Sequence, residues 1–266
     1  MPGAALAATS CKVCGAAAPR WGSCDLNAHC NRFNTPDLLP PAGVEVTYHR
    51  CSECGFLFTR HMDGFSRDDF SRLIYNADYR LVDPEFEQIR PADLADRLVR
   101  RFGNLPIHLC DYGGGRGRLA ELVNGAGGPL RATSWDPFFS DGPKPEQRFD
   151  MVVSFEVFEH SPTPAETLAD MLSLANDDRV VLIGTLCQPE QIRAAGMNWW
   201  YCAPRNGHIS LHTRRSLQHL ADQAGIGVIH LEDSAHLFHD VLPDWLQHSL
   251  LGPQSTPWTP QPPPEA

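Results

Sequence analysis

The stretch "HLCDYGGGRGRLAEL", residues 108–122, constrains this 266-residue chain most: an apolar run ends in an acid, four glycines follow, and a helical pattern begins. A strand that passes into a helix through glycine brings bare backbone N–H groups, and the positive end of a helix dipole, up to whatever ligand approaches. Beyond it, "RATSWD", "RFDMVVSFEV" and "DRVVLIGTL" read as strands, and "GRLAELVNG", "SPTPAETLADMLSLA" and "TRRSLQHLADQAG" as helices. This alternation predicts an α/β domain, a doubly wound and mostly parallel sheet covered on both faces. Thr163 and Glu166 read as a capping box, Gly225 as a helix stop, and "IGVIHLED" with "AHLFHDV" as two final strands. Too few residues separate Asp136 from Phe149 for another strand-and-helix unit, so the sheet is expected to lack one edge strand.

The texture of the chain divides it into a cysteine-rich module over 1–62, a helical linker or lid over 63–104, the α/β domain over 105–245 and a proline-rich, disordered tail over 246–266. In the linker, "SRDD" at 66–69 is a capping-box pattern, Asp83-Pro84 and Pro91 read as helix starts, and Leu94, Leu98 and Phe102 share one face before Gly103. A net charge of -10 weighs against a nucleic-acid surface and favours small-molecule partners. With no basic segment leading into a long apolar run, the chain reads as soluble, free of the membrane, and cytoplasmic.

"CKVCG" at 11–15 and "CSECG" at 51–55 are two CxxC-Gly knuckles. Two knuckles complete a tetrahedral shell, so Cys11, Cys14, Cys51 and Cys54 are the expected ligands of a structural zinc in a zinc ribbon. The roles of Cys24, His29, Cys30 and His49, which lie between them, stay open.

The glycine turn admits two ligands. Gly115-x-Gly117-x-x-Ala120 satisfies a dinucleotide fingerprint, with Asp136 about 20 residues further on. A carboxylate at Asp111, however, repels a diphosphate and attracts a sulfonium or ammonium. With "DYGGGRG", "SWDPF" and "FDMVVSFEVFEH" in this order, residues 106–240 resemble the class I S-adenosylmethionine-dependent methyltransferases, which have a Rossmann-like fold.

The resemblance implies that Asp111, Gly113 and Gly115 border the methionine part of the cofactor while Gly117 lets the helix pack close. It also implies that Asp136 binds the ribose, Phe138 lies near the adenine, and Phe155 and Glu156 line the methionine side. A zinc ribbon ahead of such a domain is similar to the order in sugar C-methyltransferases acting on nucleotide-linked deoxysugars, and in a ribosomal-RNA guanine methyltransferase. Five basic against four acidic residues over 1–60 give RNA little support.

For the acceptor, "NWWYCAPRNGHISLHT" at 198–213 follows a strand at its carboxyl end, which makes Trp199, Trp200, Tyr201, Arg205 and Asn206 the expected substrate-binding residues. His208 and His160 are the expected catalytic bases, since histidine titrates near neutral pH. Residues 74–90 are expected to fold over the cofactor, with Tyr79 or Arg90 reaching its carboxylate. The expected function is methyl transfer to a small molecule, a saccharide or nucleotide-linked sugar. A non-catalytic assembly module, an RNA methyltransferase and a nicotinamide oxidoreductase remain the alternatives.

Overall fold

The computed structural model describes residues 9–140 and 142–251. The N-terminal module contains β1 (Thr9–Ser10), β2 (Ala17–Ala18), β3 (Arg20–Asp25), β4 (Glu45–Arg50) and β5 (Leu57–Thr59). Helices α1 (Arg67–Leu73), α2 (Tyr79–Val82) and α3 (Ile89–Phe102) lead into the α/β domain. There β6 (His108–Tyr112), α4 (Arg118–Gly125), β7 (Arg131–Trp135), β8 (Met151–Phe155), α5 (Pro164–Leu172), β9 (Val181–Gly184) and α6 (Ile192–Ala195) follow. The chain continues through β10 (Ser210–Leu211), α7 (Arg214–Ala224), β11 (Gly227–Glu232), β12 (Ala235–His239) and α8 (Asp244–Leu251).

The main sheet has six strands in the order β11-β12-β9-β8-β6-β7. From β7 to β9 the strands are parallel, while β12 runs antiparallel to both of its neighbours, β9 and the edge strand β11. Every residue of β9, and all of β8 except Phe155, is buried, as expected of central strands covered on both faces. One face packs on α3, α4 and α8 through Leu98, Phe102, Leu119, Val123 and Leu246. The other packs on α5 and α7 through Leu168, Met171, Leu217 and Leu220. Among the described residues β7 is the edge strand, so the short 137–149 segment adds no strand beyond it. The doubly wound, mostly parallel fold read from the sequence is the one observed.

Several local expectations need correction. Thr163 starts α5 but its side chain makes no capping bond; the Ser161 hydroxyl accepts from the Thr163 N–H instead, and Pro164 occupies the first turn. Asp83-Pro84 ends α2 rather than starting a helix. The tail expected from 246 begins inside α8, where Leu246 is fully buried. Residues 252–266 lie outside the described residues. Ser66 and Asp69 do form a reciprocal capping box, and Gly225 closes α7 in a left-handed conformation.

The module is not a separate bead. Its β5 pairs with β10, so Ser210 and Leu211 complete its sheet. Phe56, Phe58 and Val13 share one core with Leu217, Leu220 and Phe158 of the α/β domain. Arg32 donates to four backbone carbonyls: its own neighbour His29 at 3.0 Å, and Met197, Trp199 and Trp200 at 3.0, 3.1 and 3.0 Å. The Tyr48 hydroxyl donates to the His208 carbonyl at 2.6 Å. A planar guanidinium is suited to this bridging because its donors are fixed in a fork. Arg32→Ala is therefore expected to cost about 2 kcal/mol, read as a lower urea midpoint, and Arg32→Lys to recover less than half of the loss.

Candidate functional site

A cleft of about 1280 Å³ opens at the carboxyl ends of β6, β7 and β8, where open parallel sheets hold their ligands. Its sheet side contains Asp111, Gly113, Gly114, Gly115, Asp136, Phe155 and Glu156. Its outer wall comes from the 70–91 segment, through Phe70, Tyr75, Tyr79, Phe86 and Arg90. His160 and His208 line its floor.

Asp111, at the last buried turn of β6, is 3 % exposed, and its Oδ2 has no hydrogen-bond partner. Burial pushes its carboxyl up to about 7; Asp136 adds to the rise, and Ser134 opposes it without a well-formed hydrogen bond to that oxygen. Glycine at 114 is what permits this arrangement, because a Cβ there would sit 2.0 Å from Oδ2. Gly115, at φ +56°, would meet nothing within 4 Å on adding a Cβ, so this backbone faces open space. Gly117 stands at the start of α4, where it packs near Ser134.

Asp136 is 6 % exposed and organises the loop around it. Its Oδ2 accepts from the Gly115 N–H at 2.9 Å, and its Oδ1 from the N–H groups of Phe138 and Phe139 at 2.7 and 3.0 Å. A carboxylate has about four lone-pair sites, so one on Oδ2 stays available. Phe138 and Phe139 project into the cleft, 43 and 44 % exposed, edge-on to Phe70 and Tyr75.

Glu156, just past β8, is a side-chain-bearing residue with φ +56° and is open to the cleft. The cleft walls and the neighbouring Glu159 push its carboxyl upward, against the pull of Arg90. Arg90 is held by Asp83 in a fork of 2.9 and 3.0 Å. Tyr79, 5 % exposed, directs its hydroxyl to the Asn206 carbonyl at 3.4 Å.

His208 is 4 % exposed and its Nδ1 lies 3.1 Å from the Tyr201 carbonyl and 3.7 Å from Cys30 Sγ. Burial pushes its pKa well down, and that of His160 down as well. Both rings are therefore neutral at pH 7, available as lone-pair donors but weak as proton acceptors, which tempers the role of base expected of them.

The five residues expected to bind substrate are not brought to the cleft. Trp199 and Tyr201 are 6 and 2 % exposed and join Trp200 in a core with the module. Arg205 donates to the Ile74 carbonyl at 2.5 Å and to Asn76 at 2.8 Å, while the Asn206 side chain accepts from the Cys30 N–H at 2.9 Å. The pattern of rings and polar tips in 198–213 arises because the loop is an internal brace with only His208 reaching the cleft. Glu159, which the sequence reading passed over, is fully buried and accepts from the Tyr201 hydroxyl at 2.6 Å and the Thr185 hydroxyl at 2.9 Å. Its signal was present: an acid placed among the apolar residues of "FEVFEH" needs an internal partner.

In the module, Cys11, Cys14, Cys51 and Cys54 converge. Their sulfurs lie 3.7 Å (11 to 54), 3.4 Å (14 to 51) and 3.6 Å (14 to 54) apart. Backbone N–H groups of Val13 and Cys54 point at the sulfurs of Cys11 and Cys51. Cys24, His29, Cys30 and His49 stand outside this cluster. His29 is 2 % exposed, and His49 Nδ1 is 3.2 Å from the Ala18 carbonyl. No described helix is long and apolar enough to cross a membrane.

Comparison with curated protein sequences finds no match. Among solved structures, the chain is similar to an O-methyltransferase family protein from Burkholderia thailandensis, with 16 % identity, a TM-score of 0.49, and coverage of 68 % of this chain and 64 % of that one. It is also similar to human N-acetylserotonin methyltransferase in complex with S-adenosylmethionine, with 13 % identity, a TM-score of 0.44, and coverage of 68 % and 64 %. A third is magnesium protoporphyrin IX methyltransferase from Synechocystis with bound S-adenosylhomocysteine, with 13 % identity, a TM-score of 0.42, and coverage of 67 % and 95 %. The chain thus spans slightly less than two thirds of the first two. The family described as a methyltransferase domain is matched over residues 86–231, more than half of the chain and the whole of the glycine turn, the Asp136 loop and the cleft floor. The chain belongs to the methyltransferase domain family.

Proposed function

We propose that this chain transfers a methyl group from S-adenosylmethionine to a small-molecule acceptor held in the same cleft. The observation that carries this reading is the Asp111 carboxylate, buried with one oxygen unpartnered beside a glycine backbone that faces open space. A buried acid without a partner is costly unless a cation arrives to meet it. Bound S-adenosylmethionine supplies an electrophilic methyl group on a cationic sulfur.

The protein's own part is to bind, orient and exclude water. Asp111 attracts the cationic end of the cofactor, and Asp136 offers its remaining lone pair to a ribose hydroxyl. The exposed rings of Phe138 and Phe139 offer flat apolar faces to a base. Phe155, Glu156 and Arg90 border the methionine side. Rings and carboxylates together around the floor suit a hydroxylated ring, so a saccharide or its nucleotide conjugate is the acceptor class we favour. Here positioning in a dry site contributes more than acid–base help, in keeping with the neutral histidines.

For the module we infer a structural zinc on Cys11, Cys14, Cys51 and Cys54. A tetrahedron with metal–sulfur bonds of about 2.3 Å has edges of about 3.8 Å, close to the sulfur separations and far from a disulfide's. One zinc per chain is expected by plasma emission spectrometry of the purified protein. Cys51→Ser should release it and lower the thermal midpoint; a metal-free wild type with the same midpoint would overturn the assignment.

Asp111→Asn tests the cofactor site in two ways. By calorimetry, S-adenosylhomocysteine should bind the variant about 30-fold more weakly, a loss of about 2 kcal/mol, and NADH should bind neither protein. The unliganded wild type should also lose stability as pH rises. Asp111 has its pKa raised from an ordinary 3.8 to about 7, so the folded state holds this proton more tightly than the unfolded chain. Its contribution is complete below about pH 4 and disappears through about pH 7. The unfolding free energy from urea titrations should therefore fall by about 4 kcal/mol across that window in the wild type relative to Asp111→Asn. Parallel pH profiles for the two proteins would show that the carboxyl is not buried as described.

A further inference from the structure

Apart from the four cysteines, one other set of metal-ligating side chains comes together among the described residues. Glu159, His160 and His208 offer a carboxylate oxygen and two imidazole nitrogens that all lie within 4.8 Å of one another. Two come from the short turn after β8 and the third from the loop before β10, and both histidines face the cleft. Glu156 faces the same space from a left-handed backbone, a conformation that persists in a side-chain-bearing residue only where its surroundings hold it.

We propose that Glu159, His160 and His208 form a binding site for one first-row divalent cation, with Glu156 on its open side. The first support is charge. Glu156 and Glu159 lie close enough to act on each other, and the guanidinium they feel, Arg90, is already forked onto Asp83. Glu159 is fully buried, and the hydroxyls of Tyr201 and Thr185 use only two of its lone-pair sites, which leaves acceptor capacity for a cation.

The second support is the way the donors are oriented. His208 places Nδ1 3.1 Å from the Tyr201 carbonyl, which puts the proton on that nitrogen and the lone pair on Nε2. A ring hydrogen bond to a backbone carbonyl is the outer contact that metal-binding histidines make, and it fixes tautomer and direction before the ion arrives. Tyr201 therefore orients two of the three ligands, one through its carbonyl and one through its hydroxyl. His160 completes the set with a buried Nδ1 that has no hydrogen-bond partner.

Two imidazoles with a carboxylate suit Mn²⁺, Co²⁺, Fe²⁺ or Zn²⁺ better than Mg²⁺ or Ca²⁺, which prefer all-oxygen shells. Three protein ligands leave positions open toward the cleft for water or an acceptor oxygen. Cation binding here does not depend on the methyl-transfer reading.

The test uses the full chain with its native metal content and Mn²⁺ as the probe, because manganese has little affinity for thiolates. Loss of the free-Mn²⁺ electron paramagnetic resonance signal should report one ion per chain, with binding weakened at least roughly 10-fold in His208→Asn and in His160→Gln. An undiminished signal with wild type at millimolar protein, or equal uptake by both variants, overturns the proposal. Should the variants fail to fold, Co²⁺ added to wild type gives the answer: visible d–d bands without a new sulfur-to-cobalt charge-transfer band support the site, and a new sulfur band refutes it. Calorimetry with S-adenosylhomocysteine on the same samples separates failure of this site from failure of the cofactor reading.

Discussion

Buried carboxyl groups gathered at the carboxyl edge of the sheet are the constraint around which the rest of the molecule is arranged. Asp111, Asp136 and Glu156 line one cleft, Glu159 is buried beside the two histidines of its floor, and Asp83 brings a fifth acid that is paired with Arg90. Such a concentration survives folding because each acid is handled differently. Asp136 accepts from three backbone N–H groups, Glu159 from two hydroxyls, and Asp83 from a guanidinium. Asp111 and Glu156 are left facing the space between them. A site that buries carboxyl groups without cationic partners is costly alone and selective when filled, since an anionic ligand would add to the penalty that a cationic one removes.

The N-terminal module has a place in the same arrangement. It holds the 197–210 loop through Arg32, Tyr48 and the pairing of β5 with β10, and that loop delivers His208 to the cleft floor with Tyr201 buried behind it. Gln223 of α7 and Thr213 at its start also donate to the cysteine knuckles, at Val13 and Cys54. Whatever rigidity the four cysteines give the module is therefore passed to the floor of the cleft along a short, fully packed route. A module bound only by a linker could not do this.

Much of this architecture was legible along the chain. The order of strands and helices, the missing edge strand, the glycine turn and the two cysteine knuckles follow from local rules: glycine at a strand-to-helix turn, apolar runs in buried strands, and paired CxxC spacing. The 198–213 loop was read less well. Its tryptophans, Arg205 and Asn206 have the composition of a ligand surface, but composition does not tell which side of a loop meets solvent. Here a neighbouring module covers one side, and only the tertiary pairing with β5 reveals it. Glu159 was missed for a related reason. A carboxylate four residues past the strand end looks like a surface group until Tyr201 and Thr185, distant in sequence, are seen to enclose it.

The shortened 137–149 segment explains the shape of the cleft. A longer unit there would carry the chain away beside β7; without it, Asp136 draws the backbone of Phe138 and Phe139 tightly over its own carboxylate. The two rings then point across the cleft toward Phe70 and Tyr75 of the helical segment. An aromatic wall and an acidic sheet edge thus line the same cleft. A ligand with a flat face and a separate cationic centre satisfies both sides at once, and a diphosphate satisfies neither. Selectivity for such a ligand accordingly depends on the short connection after Asp136 as much as on the glycine turn.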